Sequence, residues 1–241
     1  MLRRSGDNRK STNEPEKPFW ISYADLMTAL MFLFLAIMVV SIMSISHEIN
    51  LATAGEKGRS EAIGMLCENI KKEAESINGN IHVNCKNNNI HFGSVGTFDQ
   101  NSYALSDEGQ KALNDVIPII LKVSESEEGK RWFKQIVIEG FTDTDGSYLY
   151  NLDLSVKRSE YVMCSLLDPK IGAKDKLTAE QRRLIKELFL AGGVSFNSAK
   201  ESKQASRHVE LRLQFFGLKD NPNRLAHEKF ALDEVEKCPL H

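Results

Sequence analysis

Leu26 to Ile45 form a run of 20 residues without a charge, in which only Thr28, Ser41 and Ser44 are polar. At about 1.5 Å of rise per residue, a helix of that length reaches roughly 30 Å, the thickness of a bilayer's hydrocarbon layer. The run predicts a transmembrane helix. It exceeds the about 7 to 15 apolar residues of a cleaved signal peptide and lacks an Ala-x-Ala-like cleavage site. Phe19 and Trp20 follow Pro18, and an aromatic pair there suits the headgroup interface, so the predicted span is 19–46. Arg3, Arg4, Arg9, Lys10 and Lys17 precede it, whereas only Lys57 and Arg59 follow closely. That asymmetry predicts a single-pass protein of the inner membrane, with residues 1–18 in the cytoplasm and the remainder in the periplasm.

One acid lies inside this span. Counted from Trp20, Asp25 sits about 7 to 8 Å deeper than the indole if the helix is continuous. A carboxylate facing lipid costs several kcal/mol, so Asp25 should face a protein partner or a water-filled path, neutral or charged as its surroundings change. Ser22, Asp25, Ala29, Phe32 and Ala36 share one helical stripe containing several small residues, which predicts a packing face. An acid near a helix start also favours the positive end of the helix dipole, a simpler alternative role.

The segment from Phe19 to Met31, Phe-Trp-Ile-Ser-Tyr-Ala-Asp-Leu-Met-Thr-Ala-Leu-Met, resembles the membrane segment of MotB-type stator subunits. The resemblance implies that Asp25 takes up a proton, or binds a sodium ion, beside the helices of a MotA-like partner. A chain with one helix cannot enclose that path alone.

Residues 47–79 carry Ile63, Leu66, Ile70 and Ile77 at partly helical spacing, interrupted by Gly55, Gly58 and Gly64. They read as a periplasmic linker followed by a helix that packs on the next domain. Cys67, Cys85, Cys164 and Cys238 all follow the span, where an oxidising periplasm permits disulfides. Of the three possible pairings, Cys67 with Cys85 and Cys164 with Cys238 are favoured: the first two are close in sequence, and the second pair would tie down a polar tail. Free buried thiols are the alternative.

From about 80 to 217 strand-like and helix-like patterns alternate, predicting a two-layer α/β (α+β) domain. Ile81–Cys85, Ile90–Phe92, Phe133–Gly140 and Arg207–Phe216 read as strands. Ser106 caps a helix that buries Leu113, Val116, Ile117, Ile120 and Leu121. Leu177–Leu190 reads as an inserted helix, with Glu180, Arg182, Arg183, Lys186 and Glu187 on a solvated face and Gly192-Gly193 ending it. Residues 218–241, polar and containing Pro222 and Pro239, read as an extended tail.

The run from Ile138 to Arg158 contains Gly140-Phe141-Thr142-Asp143, followed by Asn151, Leu154-Ser155 and Arg158. It resembles the OmpA-like peptidoglycan-binding motif, Gly-x-Thr-Asp then Asn-x-x-Leu-Ser-x-x-Arg, departing at Phe141, where His or Tyr is more usual, and at Ser159, where Ala is. A strand end would present Thr142 and Asp143, and a helix capped by Asn151 would carry Leu154 and Arg158 toward them. Asp143 can then accept from an ammonium while Arg158 grips a carboxylate with its planar fork. The resemblance implies that this is done to diaminopimelate in a peptidoglycan stem. Thr142 and Asn151 position backbone or ligand, and Tyr150 and Leu154 wall the groove or simply pack.

The blocks Glu16–Asp25, Ile138–Gly146 and Phe189–Phe196 are similar to the ZorB subunits of Zorya anti-phage defence systems. That resemblance implies a ZorB dimer inside five ZorA subunits, with ion flow driving rotation; a flagellar-type stator and a passive tether between membrane and wall are the alternatives. No nucleophile has an identifiable base, no metal-ligand or phosphate-binding motif occurs, and a net charge of -2 supplies no drive toward nucleic acid. A non-enzymatic subunit with no cofactor, no metal and no direct nucleic-acid contact is therefore expected.

Overall fold

The computed structural model describes residues 19–171, 177–220 and 237–240, with side chains from residue 23 onward. It divides into two units, Met1–Ala54 and Gly55–His241. The basic residues before Pro18 and the stretch 221–236 of the expected tail lie outside the described residues.

Helix α1 is Phe19–Ile77. In the first unit its apolar side chains are exposed, Phe32 and Phe34 at 67% and Met43 at 68%. A helix can expose such a surface to lipid because its backbone bonds are satisfied within the segment. The hydroxyls of Thr28 and Ser41 donate back to the carbonyls of Asp25 and Ile37 at 2.9 and 2.8 Å, so these polar side chains also find partners on the helix. The helix is long and apolar enough to cross a membrane.

The interval expected to contain a linker is instead helical as far as Ile77. Glycine costs about 1 kcal/mol per helical position relative to alanine, which three glycines spread over several turns do not make prohibitive. In the second unit, packing offsets that cost: Ala62, Ile63, Leu66, Cys67, Ile70 and Ala74 form a buried stripe in the main core.

A five-stranded sheet organises the second unit, ordered β1-β2-β5-β3-β4. Its strands are β1 His82–Asn84, β2 Asn89–His91, β3 Phe133–Gly140, β4 Phe189–Gly193 and β5 Val209–Phe215. All neighbours are antiparallel except β3 and β4, which are parallel. Alternation sorts the two faces. Ile136, Ile138, Leu211 and Leu213 are buried against the core, whereas Glu139 and Arg212 pair on the other face through two 2.8 Å bonds.

The helices are α2 Asp107–Ser124, α3 Glu127–Trp132, α4 Tyr148–Leu167, α5 Ala179–Leu188 and the short α6 Lys203–Ser206. Ser106 caps α2, accepting from the Gly109 amide at 3.2 Å, and α2 buries Leu113, Val116, Ile117 and Ile120 in the core. Thr178 and Gln181 form a reciprocal capping box on α5. Gly192 and Gly193 do not end that helix, as the sequence reading expected; they belong to β4, which begins directly after it. The reason is packing: a Cβ on Gly193 would lie 2.4 Å from Ser155 Oγ and 2.8 Å from the Val156 nitrogen of α4.

Both favoured disulfides are formed, Cys67–Cys85 and Cys164–Cys238. The second brings residues 237–240 to the end of α4, where the Cys238 amide donates to Asp168 at 2.9 Å.

Candidate functional site

The end of β3 and the start of α4 gather most of the motif. After Gly140 the Phe141 amide donates to the His208 carbonyl at 2.9 Å and the Thr142 amide to the Ser195 carbonyl at 3.0 Å, extending the strand's pairing beyond its formal end. The ring of Phe141 stacks on His208 with centroids 4.4 Å apart and planes within 5°. Ser147, rather than Asn151, caps α4: its side chain accepts from the Tyr150 amide at 3.3 Å. An N-cap accepts from amides two or three residues ahead, and Ser147 has that spacing. Asn151 lies inside the first turn and donates through Nδ2 to the carbonyls of Asp145 and Ser147 at 2.8 and 3.2 Å, fixing the turn to the helix.

Thr142, Asp143, Asn151, Leu154 and Arg158 are all buried, whereas Tyr150 is 46% exposed at the rim. Arg158 is fully buried. Its guanidinium donates to three backbone carbonyls, Phe141 at 2.6 Å, Ser102 at 2.9 Å and Asp99 at 3.2 Å, and lies 4.8 Å from the Phe98 ring centroid. Burial pulls the guanidinium down to about 10, against the attraction of Asp143.

The motif alone predicts Asp143 and Arg158 together as one anion and one cation. The structure adds a cation that the reading placed only at the start of a strand. Arg207 Nη1 donates to Asp143 Oδ2 at 2.8 Å, and its Nε donates to the Phe98 carbonyl at 3.0 Å. The other oxygen, Oδ1, accepts from the Asp145 amide at 3.0 Å. Burial pushes Asp143 up, but the Arg207 hydrogen bond, the Asp145 amide and the charges of Arg207 and Arg158 together hold it below the usual carboxylate range. Lys203, one turn before Arg207, pairs with Asp145 at 2.6 Å. Thr142 Oγ1 is buried with no hydrogen-bond partner.

Asp25 lies on the exposed surface of α1. Among the described residues, no group of three or more His, Cys, Asp or Glu side chains is placed to hold a metal ion.

Residues 97–207 match the OmpA family, and residues 3–53 match the family described as membrane MotB of the proton-channel complex MotA/MotB. Among solved structures, a MotB-like protein from Desulfovibrio vulgaris is 17% identical, with 66% of this chain and 98% of that one covered and a TM-score of 0.44. The periplasmic domain of Helicobacter pylori MotB is 16% identical, covering 54% and 74% respectively at a TM-score of 0.37. The Zorya protein ZorB of Escherichia coli O139:H28 (strain E24377A / ETEC) is 59% identical over 235 residues, which cover 98% of this chain and 93% of that protein. The chain therefore belongs to the ZorB family, as a MotB-like, stator-like cell-wall anchor that joins an apolar amino-terminal helix to a mixed α/β OmpA-like peptidoglycan-binding domain.

Proposed function

We propose that this chain is the peptidoglycan-fixed subunit of an ion-driven rotary motor in the inner membrane, working in anti-phage defence. Its transmembrane helix carries Asp25 as the ion-exchanging group, and the ion is a proton, with sodium as the second candidate. A dimer of this chain sits inside five MotA-like ZorA subunits, whose helices complete the path around Asp25. The periplasmic module grips a peptidoglycan stem through Thr142, Asp143, Tyr150, Asn151, Leu154 and Arg158, so the anchor stays still while its partners turn.

One observation supports this reading above the others: a single acid within residues 19–46, the part of α1 whose length and apolarity fit a membrane, in the same chain as a wall-binding module. An acid in that setting is costly and marks an ion pathway by default. Each elementary charge crossing the potential releases about 2.3 kcal/mol per 100 mV, so sustained rotation takes repeated transfers. A passive tether needs the wall-binding residues and has no use for the acid.

The test compares Asp25→Asn with the parent for ion flux, phage protection and co-purification with the ZorA partner. Flux and protection should vanish while assembly survives. Full protection by Asp25→Asn would defeat the motor reading and leave the tether.

A further inference from the structure

We propose that His208, outside the binding motif, is a positioning residue of the wall-binding site: as an imidazolium it holds the Phe141 ring and the backbone leading to Thr142 and Asp143, and stem-peptide affinity falls when it gives up its second ring proton. The inference rests on the peptidoglycan-binding reading and adds a proton-dependent control to that site.

Both ring nitrogens of His208 face acceptors. Nδ1 lies 3.0 Å from the Ser206 carbonyl oxygen, and Nε2 lies 2.9 Å from Glu210 Oε1. A carbonyl has no proton to offer, and neither has an ionised carboxylate. Glu210 is ionised: burial pushes its carboxyl up, but hydrogen bonds from His208 and Asn89 bring it down to about 2. A neutral imidazole has one donor, so it would satisfy one contact and turn a lone pair toward the other acceptor. The doubly protonated ring donates to both. His208 is 4% exposed, and a buried cation needs an anion beside it. Glu210 is that anion.

Phe141 connects this charge to the site. The two rings stack with centroids 4.4 Å apart and planes within 5°, and an aromatic face attracts a cation within about 6 Å. The backbone repeats the link, because the Phe141 amide donates to the His208 carbonyl at 2.9 Å. The Phe141 carbonyl in turn accepts from Arg158 at 2.6 Å, and Thr142 and Asp143 follow it directly. Other charged and titratable groups surround the His208–Glu210 pair. Lys200, before α6, reaches Glu210 Oε1 at 3.4 Å. Across the sheet, His91 of β2 lies opposite Glu210 on one side, with His82 of β1 beyond it, and Glu139 of β3 lies opposite on the other side, held by Arg212. On the motif side are Arg158 and the Arg207–Asp143 pair. A cavity of about 400 Å³, lined by His91, Thr97, Lys200 and His208, gives water a route to the imidazole. Loss of a ring proton there leaves one repulsive contact and weakens the stack on Phe141.

The experiment measures the affinity of the full chain in detergent for one synthetic stem peptide containing diaminopimelate. It runs from about pH 5.5 to about pH 8.5, a range that spans the usual change of charge of histidine, with the thermal transition checked at each pH. Affinity of the unaltered chain should fall about fivefold or more as pH rises, the scale of coupling between groups that share one network. His208→Arg keeps the charge, the donors and a planar face, and its affinity should stay within about threefold across the range. His208→Gln should bind weakly and show the same flat profile. Titration of the peptide, His82 or His91 is common to all these proteins and cannot produce that difference. In the unaltered chain, the ring-nitrogen NMR resonances of His208 should show both nitrogens protonated at about pH 5.5, and one proton should leave with the midpoint of the affinity change. Should neither variant fold, that comparison decides. A flat profile in the unaltered chain, the parent's slope retained in His208→Arg, or a singly protonated ring throughout overturns the inference alone. Failure of the unaltered chain to bind at any pH removes the wall-binding reading and this inference with it.

Discussion

Replacing Gly140 with alanine tests the joint on which the site is built. An added Cβ would stand 2.0 Å from the Ser155 carbonyl oxygen, 3.0 Å from its carbon and 3.1 Å from Arg158 Cβ. The nearest of these atoms is backbone in the second turn of α4, so no side-chain rotation relieves the clash. Ordinary van der Waals contact begins near 3.4 Å, so strand and helix must separate by more than about 1 Å. Helix α4 cannot simply slide along the sheet, because β4 also lies close to it, with a Cβ at Gly193 only 2.8 Å from the Val156 nitrogen. Overpacking a tight core costs about 1 to 3 kcal/mol, and a backbone-to-backbone clash belongs at the upper end. For a chain of this size about 3 kcal/mol corresponds to a fall in Tm of roughly 6 to 12 °C. The same movement lengthens the 2.6 Å bond from Arg158 to the Phe141 carbonyl, so stem-peptide affinity should fall even below the unfolding transition. Gly192→Ala is the control, since its Cβ would meet only Val137 Cγ1 at 3.7 Å. Thermal unfolding and ligand titration of both variants in detergent provide the comparison. A Gly140→Ala protein that melts within about 2 °C of the parent, or a Gly192→Ala protein that loses as much, would refute the packing argument.

Two further outcomes are expected. Loss of the Cys164–Cys238 bond, with a sequence separation of 74, should cost more than loss of Cys67–Cys85, with a separation of 18. Chain entropy puts the costs at about 4.5 and about 3 kcal/mol, and unfolding of paired Cys→Ala variants checks the order. Glu210 titrates near 2: burial raises it, but hydrogen bonds from His208 and Asn89 and the charges of His208 and Lys200 outweigh that. Its contribution is therefore fully present above about 4.5 and lost as pH falls toward 2, amounting to about 3 kcal/mol. Glu210→Gln should flatten the acid limb of the Tm against pH curve, and an unchanged limb would count against the assignment.

Local pattern made much of the fold legible. Ile136, Val137 and Ile138 form a β-branched run, and the chain forms β3 there. Ser106 stands at the head of an apolar repeat, and it caps α2. The signals that misled were residues with two uses. Glycine in Gly192-Gly193 resembles a helix stop, yet Gly193 permits α4 to lie against β4. Asn151 has the chemistry of a cap, yet a serine four residues earlier holds that position and leaves the asparagine to bind the turn. Gly55, Gly58 and Gly64 resemble a linker, but the buried stripe from Ala62 to Ala74 anchors the same helix to the core.

The charge state of the site was hidden for a different reason. A motif window from Gly140 to Arg158 contains the acid and one arginine, and read alone it describes a balanced pair open to a zwitterion. The partner that Asp143 takes lies 64 residues further on, brought there because β5 runs antiparallel to β3 with Val209 opposite Gly140. That register places the residues just before β5 beside those just after β3, so Arg207 reaches Asp143. Lys203, one turn earlier on α6, reaches Asp145. Sheet pairing thus gives the motif's acid a second cation, from outside the motif, beside the buried Arg158.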